Sequence, residues 1–107
     1  MPLMTGNWNI NANGSHGVLN IIGVDSQGRL NATVYGDQVV GWWDEEDRRI
    51  TFLRQRDGQA IQSFSGYTWD EAAAHHIHYL AGSFETYAGG GGTAARPTYG
   101  WFASLAV

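Results

Sequence analysis

Short runs in which apolar and polar residues alternate, each closed by glycine, limit the folds open to this chain more than any other feature. Leu30, Ala32 and Val34 alternate with Asn31, Thr33 and Tyr35, and the run lies between Gly28 and Gly36. A period of two places one set on one face of a strand and the other set on the opposite face. The fifteen glycines fall mostly at intervals of about 8–12 residues, between segments rich in Val, Ile, Thr and aromatics, which is the rhythm of successive strands and tight turns.

Read this way, the sequence predicts eight strands: Asn7–Ala12, Val18–Val24, Arg29–Tyr35, Gln38–Trp43, Arg49–Gln55, Ala60–Trp69, His76–Tyr87 and Thr98–Leu105. Asn13-Gly14 is a strong hairpin signal, because both residues tolerate positive φ. Asp25 to Gly28, Gly36-Asp37 and Arg56-Asp57-Gly58 supply further turns, and Asp44 to Asp47 form a tip too charged to be buried. Asp70 to Ala74 could wind one helical turn, too short to stand as a helix, and is read as a loop. Gly89 to Gly92 reads as a flexible connection.

Eight short strands on mainly hairpin-like turns predict an all-β, up-and-down antiparallel barrel in which the first strand pairs with the last and no edge is left raw. The alternative is a β-sandwich, whose Greek key needs a long crossing connection; only Ala88 to Pro97 could provide it. The chain is long enough for one core, so residues 1–107 are expected to form a single domain.

Composition excludes several functions. With 43% hydrophobic and 15% charged residues the chain must bury a core. Cysteine is absent, which removes disulfides and thiolate chemistry. The net charge is −4, and the six basic residues are arginines with no cluster beyond Arg48-Arg49, so nucleic acid is not an expected partner. The lack of lysine removes Schiff-base chemistry. No apolar run approaches the ~18 residues of a membrane span, and Met1 to Met4 lack the features of a signal peptide. A soluble protein without a membrane partner is expected, in a compartment the sequence leaves open.

Several segments, in order, resemble the avidin and streptavidin family across most of the chain. Thr5-Gly6-Asn7-Trp8 is similar to the family's opening Gly-x-Trp, and Asn13-Gly14-Ser15 to its first turn. Asp25 to Leu30 with Ala32-Thr33 resembles the second hairpin and third strand, Val40-Gly41-Trp42-Trp43-Asp44 the fourth strand, and Ser63-Phe64-Ser65-Gly66 the sixth strand's Trp-Ser-Gly with phenylalanine substituted. The resemblance implies the barrel, with Trp8 plugging one end. Family members hydrogen-bond the ureido oxygen of biotin through asparagine, serine and tyrosine on the first three strands. The matching positions here are Ile10, Ser15 and Val34, so a ligand other than biotin is implied. The family's strand-five pocket tryptophan falls near Arg54, and its polar pair near Ala60 and Gln62.

Read for chemistry, His75-His76-Ile77-His78 places His76 and His78 on one face of a strand, where they could share a metal if Glu71 or His16 folded in as a third ligand. An exposed strand start explains the same residues more simply, and no metal or other cofactor is expected. Asp44 to Asp47 read as a solvated tip rather than a calcium site, Ser63 and Ser65 as hydroxyls on a strand face, and Gly89 to Gly92 as a loop rather than an anion cradle.

The aromatic supply is more informative: five Trp, five Tyr and four Phe. Trp42 and Trp43 are consecutive, so on a strand one is inside and the other outside. An outward indole suggests barrel-to-barrel packing, and a homo-oligomer, dimer or tetramer, is expected with Trp42 and Trp43 at its interface. The leading expectation is a non-enzymatic small-molecule-binding barrel whose ligand enters among the loops at Ser15, Gly36-Asp37 and Asp57-Gly58. The residues expected at the site are Trp8, Ile10, Ser15, Val34, Arg54, Gln62, Phe64, Phe84 and Trp101, with an inward Arg54 favouring an anion. The alternatives are a carbohydrate-binding module using Trp43 or Trp69, and a structural oligomerisation domain filled by its own aromatics.

Overall fold

The computed structural model describes residues 3–70, 77–87 and 97–106, with positions 69 and 70 as backbone only. Eight strands follow one another: β1 (Gly6–Ala12), β2 (Ser15–Val24), β3 (Leu30–Val34), β4 (Asp37–Asp44), β5 (Arg49–Arg56), β6 (Gln59–Asp70), β7 (Ile77–Thr86) and β8 (Thr98–Ala106). Each pairs antiparallel with its neighbours in sequence, and β1 pairs with β8 from Asn9↔Ser104 to Ala12↔Trp101, which closes the sheet into a barrel. That closure removes the sandwich alternative. Among the described residues there is no helix, so none is long and apolar enough to cross a membrane.

Three two-residue hairpins lie at one end of the barrel. Asn13-Gly14, Tyr35-Gly36 and Asp57-Gly58 all have both residues at positive φ, in pairs of 50° and 89°, 51° and 81°, and 53° and 78°. This is the type I′ turn, whose twist matches that of the strands it joins. The second pair corrects the sequence reading of Tyr35 as an outward strand residue. The strand stops at Val34, and the turn sends the Tyr35 ring back over the barrel mouth.

Most inward and outward assignments follow the alternation. Trp8, Ile10 and Ala12 are buried on β1, Leu19 and Ile21 on β2, and Ala32 and Val34 on β3. After Ile21 a β-bulge shifts the register with β3, leaving Ile22 exposed. The core is wholly hydrophobic, without a buried polar side chain among the described residues. Each large side chain taken fully out of water contributes ~1.5–3 kcal/mol.

Three inner rows cross β5 to β8 in direct register. Ile50, Gly66, Gly82 and Trp101 form the deepest row. Phe52, Phe64, Phe84 and Tyr99 form the next, and Arg54, Gln62 and Thr86 lie above it, toward the hairpin end. The two glycines leave space on the inner wall that the Trp101 indole fills. Its Nε1–H donates to the backbone carbonyls of Ser65 and Ser83, at 3.2 and 3.1 Å. Above it, Phe52 and Phe64 stack with centroids 4.7 Å apart, and Phe64 and Phe84 at 5.0 Å, while Trp101 meets Phe52 and Phe64 edge-on at 5.9 and 5.8 Å. Such pairs add about 0.5–1.5 kcal/mol each beyond burial. The centre of the barrel is therefore packed with aromatic rings.

Candidate ligand-binding site

Above the aromatic row the inner wall becomes polar. Residues two apart on a strand share a face, so β5 carries Phe52, Arg54 and Arg56 in line, and the last two reach the hairpin end beside Asp37 at the start of β4. Arg54 Nε donates to Asp37 Oδ2 at 2.7 Å and Nη1 donates to Gln62 Oε1 at 2.9 Å. Gln62 Nε2 then donates to Thr86 Oγ1 at 3.1 Å. Arg56 approaches the same carboxylate from outside, with Nη2 at 2.9 Å from Oδ2. The Arg54 side chain is only 14% exposed, whereas that of Arg56 is largely in solvent.

Tyr35 completes the mouth. The Arg54 guanidinium lies 4.9 Å from its ring centroid, a cation–π distance. The Tyr35 hydroxyl donates to the Ser15 carbonyl at 2.5 Å, and the ring occupies the space a Cβ on Gly17 would need. A bulky residue at φ 51° is strained, at a cost of order 1–3 kcal/mol.

The electrostatics follow from these contacts. The hydrogen bond from Arg56, and then that from Arg54, hold the Asp37 carboxyl below the usual carboxylate range. Asp37 in turn raises the Arg56 pKa, with Asp57 acting in the same direction from the exposed turn. Burial pushes the Tyr35 phenol up. The mouth thus holds the Arg54–Asp37 ion pair beside a neutral tyrosine.

Of the residues expected at a site, the structure brings Arg54 and Gln62 together at the mouth and places Phe84 and Phe64 beneath them. Trp101, Ile10, Val34 and Trp8 are buried in the packing below, with the Trp8 indole donating to the Met4 carbonyl at 3.0 Å. They form the floor and core, where the sequence reading had them lining a chamber. Ser15 is a second correction. It pairs with Ala12 beside an exposed turn, its side chain is in solvent, and only its carbonyl takes part, through Tyr35.

Trp43 is a third correction. It is 6% exposed, on the inward face of β4 with Val39, and its Nε1 donates to Glu45 Oε1 at 3.3 Å. The sequence reading put both indoles at the interface; of the two, only Trp42, 52% exposed, is open on the outer wall. Sequence reasoning missed Tyr35 and Thr86, and had Asp37 only as part of a loop at the ligand entrance. Asp37 falls in line with Arg56, one step beyond the Gln38↔Gln55 pair, and two residues from Val39, the partner of Arg54, a placement legible only once the hairpin was fixed.

Among the described residues no group of three histidine, cysteine, aspartate or glutamate side chains is placed to hold a metal. His78 is half-buried on β7, while Glu71, His75 and His76, like Gly89 to Gly92, lie outside the described residues, as does the side chain of Trp69. Ser63 and Ser65 line, with Thr51, Ser83, Glu85 and Thr98, a shallow hollow of about 390 Å³ on the outer wall. A larger groove of about 880 Å³ opens at the end away from the hairpins, bordered by Trp42.

No protein-family model matches the chain, and neither a curated protein nor a solved structure does.

Proposed function

We propose that this protein is a non-enzymatic binding barrel of avidin-like architecture that takes a small carboxylate, other than biotin, at the Tyr35–Arg54 mouth. The observation that carries the reading is Arg54, a guanidinium drawn inside the rim and held on three sides. Nε and Nη1 are engaged, and among the described residues Nη2 has no hydrogen-bond partner. A planar anion is the natural complement of that edge.

Stability alone does not account for the arrangement, since replacing a largely buried ion pair by hydrocarbon is often neutral or stabilising. A strained tyrosine, an Arg–Asp pair and an amide–hydroxyl relay above an apolar floor match the usual composition of a small-ligand site, mostly apolar with a few fixed polar groups. Biotin is disfavoured because Ile10 and Val34 offer buried hydrocarbon where its ureido oxygen would need donors. The avidin-like reading is supported by the eight-strand up-and-down order and by the burial of Trp8.

Titration of the ¹⁵N-labelled protein with acetate, benzoate and biotin tests this. Benzoate should move the Arg54 Nε–H signal and the side-chain amide signal of Gln62, which is bonded to Arg54, biotin should not bind at the mouth beyond what its carboxylate alone achieves, and Arg54→Leu should abolish the Gln62 shift in a protein that remains folded. Failure of every carboxylate to move those two signals, or an undiminished Gln62 shift in Arg54→Leu, overturns the proposal.

Self-association is a compatible second reading, favoured by one feature of the outer wall. Tyr67, Ala81 and Phe102 are direct cross-strand partners on β6, β7 and β8, and the two rings are 56% and 53% exposed. Two barrels packed through this row would hide both rings.

A further inference from the structure

The groove at the end away from Arg54 has no part in the carboxylate reading. Its volume of about 880 Å³ is within the range of small-ligand sites. The lining includes Trp42, Thr51, Gln27, Asp25 and Arg49. Trp42 projects from the outer face of β4 with Thr51 directly beside it on β5, and an isolated bridge joins it to Arg29 on the other side.

The β2–β3 turn that forms one wall is fixed by its own hydrogen bonds. Asp25 Oδ1 accepts the backbone N–H groups of Gln27 and Arg29, both at 2.9 Å, and Arg29 Nη2 donates to Gln27 Oε1 at 3.0 Å. Gln27 is thereby held by its oxygen, while its amide N–H groups have no partner among the described residues. The groove combines an open indole, an amide donor, a hydroxyl, a carboxylate and a guanidinium.

We infer that this groove binds a neutral saccharide, with the C–H face of a sugar ring on Trp42 and its hydroxyls on Gln27, Thr51, Asp25 and Arg49. A purely apolar ligand would leave the polar groups unpaired, which is costly. An acidic glycan is disfavoured because Asp25, Asp44 and Glu45 outnumber Arg49 in the lining, and Asp25 stays ionised, its carboxyl lowered first by the backbone N–H of Arg29. A sugar hydroxyl both donates and accepts, so it can serve carboxylate, amide and guanidinium alike.

The test is titration of the ¹⁵N-labelled chain with cellopentaose, xylopentaose, maltopentaose and chitopentaose, with polygalacturonate as the anionic comparison, following the indole N–H signals. At least one neutral oligosaccharide should move the Trp42 signal, while those of Trp8 and Trp101, whose N–H groups are bonded inside the barrel, stay in place. Trp42→Ala, followed through the side-chain amide signal of Gln27 in the same groove, should weaken binding at least about tenfold, a loss of about 1.4 kcal/mol, with the unmoved Trp101 signal reporting an intact fold. Gln27→Ala should weaken it less, and Arg54→Leu should leave it unchanged, which separates this site from the mouth. The inference is overturned if no neutral oligosaccharide moves the Trp42 signal at about 10 mM, if Trp42→Ala binds as the parent does, or if polygalacturonate is preferred.

Discussion

A Cβ on Gly66 would stand 2.7 Å from Cζ2 of Trp101, closer than real Cβ contacts come, so the indole lies against β6 only because this residue is glycine. Gly82, its cross-strand partner, is equally constrained, by the Ser65 carbonyl. The pair explains how a barrel of eight strands accommodates a tryptophan beside three phenylalanines.

Gly66→Ala should therefore overpack the core. The expected cost is about 1–3 kcal/mol, read as a lower urea midpoint with unchanged slope. The near-ultraviolet circular dichroism of the aromatic cluster should weaken at the same time. A midpoint equal to that of the parent would show that both the indole and the Ala81 carbonyl, 2.6 Å from the added Cβ, have room to shift.

Gly17 and Tyr35 form a second matched pair, at the mouth. Gly17→Ala should displace the Tyr35 ring and destabilise the protein. Tyr35→Asn, which suits the positive φ and removes the ring, should relieve much of that loss, so that the double variant is more stable than the sum of the singles. A double-mutant cycle by urea unfolding measures the coupling, which between residues in contact runs to about 0.5–3 kcal/mol. Strict additivity would place the ring elsewhere in solution.

Asp37 gives a pH signature. Its folded pKa lies below the unfolded value, so its contribution to stability is complete above the unfolded pKa and is lost as pH falls through the folded one. The stability difference between the parent and Asp37→Asn should accordingly be constant near neutrality and shrink below about pH 4. Urea unfolding of both proteins across that range checks the sign; a difference that grows on acidification contradicts the Arg54–Asp37–Arg56 arrangement.

The adjacent tryptophans should respond in opposite ways. Trp43→Ala removes a buried indole and should cost about 3–5 kcal/mol, whereas Trp42→Ala, on the outer wall, should stay within about 1 kcal/mol. Acrylamide should quench Trp42 readily. Equal costs for the two substitutions would reverse the inward and outward assignment of β4.

Phe102→Glu bears on the aromatic row of the outer wall. If two barrels pack there, light scattering at micromolar concentration should show association in the parent and a monomer in the variant. A parent that is already monomeric removes the self-association reading and leaves the carboxylate and saccharide sites untouched.

The sequence carried the strand order, because alternation and turn residues agree along most of the chain. It stopped being informative where both faces of a strand are apolar. On β4, Val39, Gly41 and Trp43 point inward while Val40 and Trp42 point outward, so periodicity showed that the two indoles part company without showing which one is buried. Tyr35 was misread for a different reason. Its alternation fits a strand, but the following glycine allows a type I′ turn, and that turn inverts the direction of the side chain. Arg54 and Gln62 were legible from their period beside Phe52 and Phe64. Asp37 was not, since an acid next to glycine looks like any solvated turn until the β4–β5 register lays it across from two arginines.

Pairing of β1 with β8 also sets positions 6 and 106 beside each other at one rim, on neighbouring strands. A short linker from position 106 to Leu3, which keeps Leu3 in the core and the Met4 carbonyl on the Trp8 indole, with the backbone cut instead between Asp57 and Gly58, would preserve every rung of the ladder while moving the Arg54 rim to new chain ends. Circular permutation of this kind would turn the hairpin end of the barrel into an attachment point for a fused reporter.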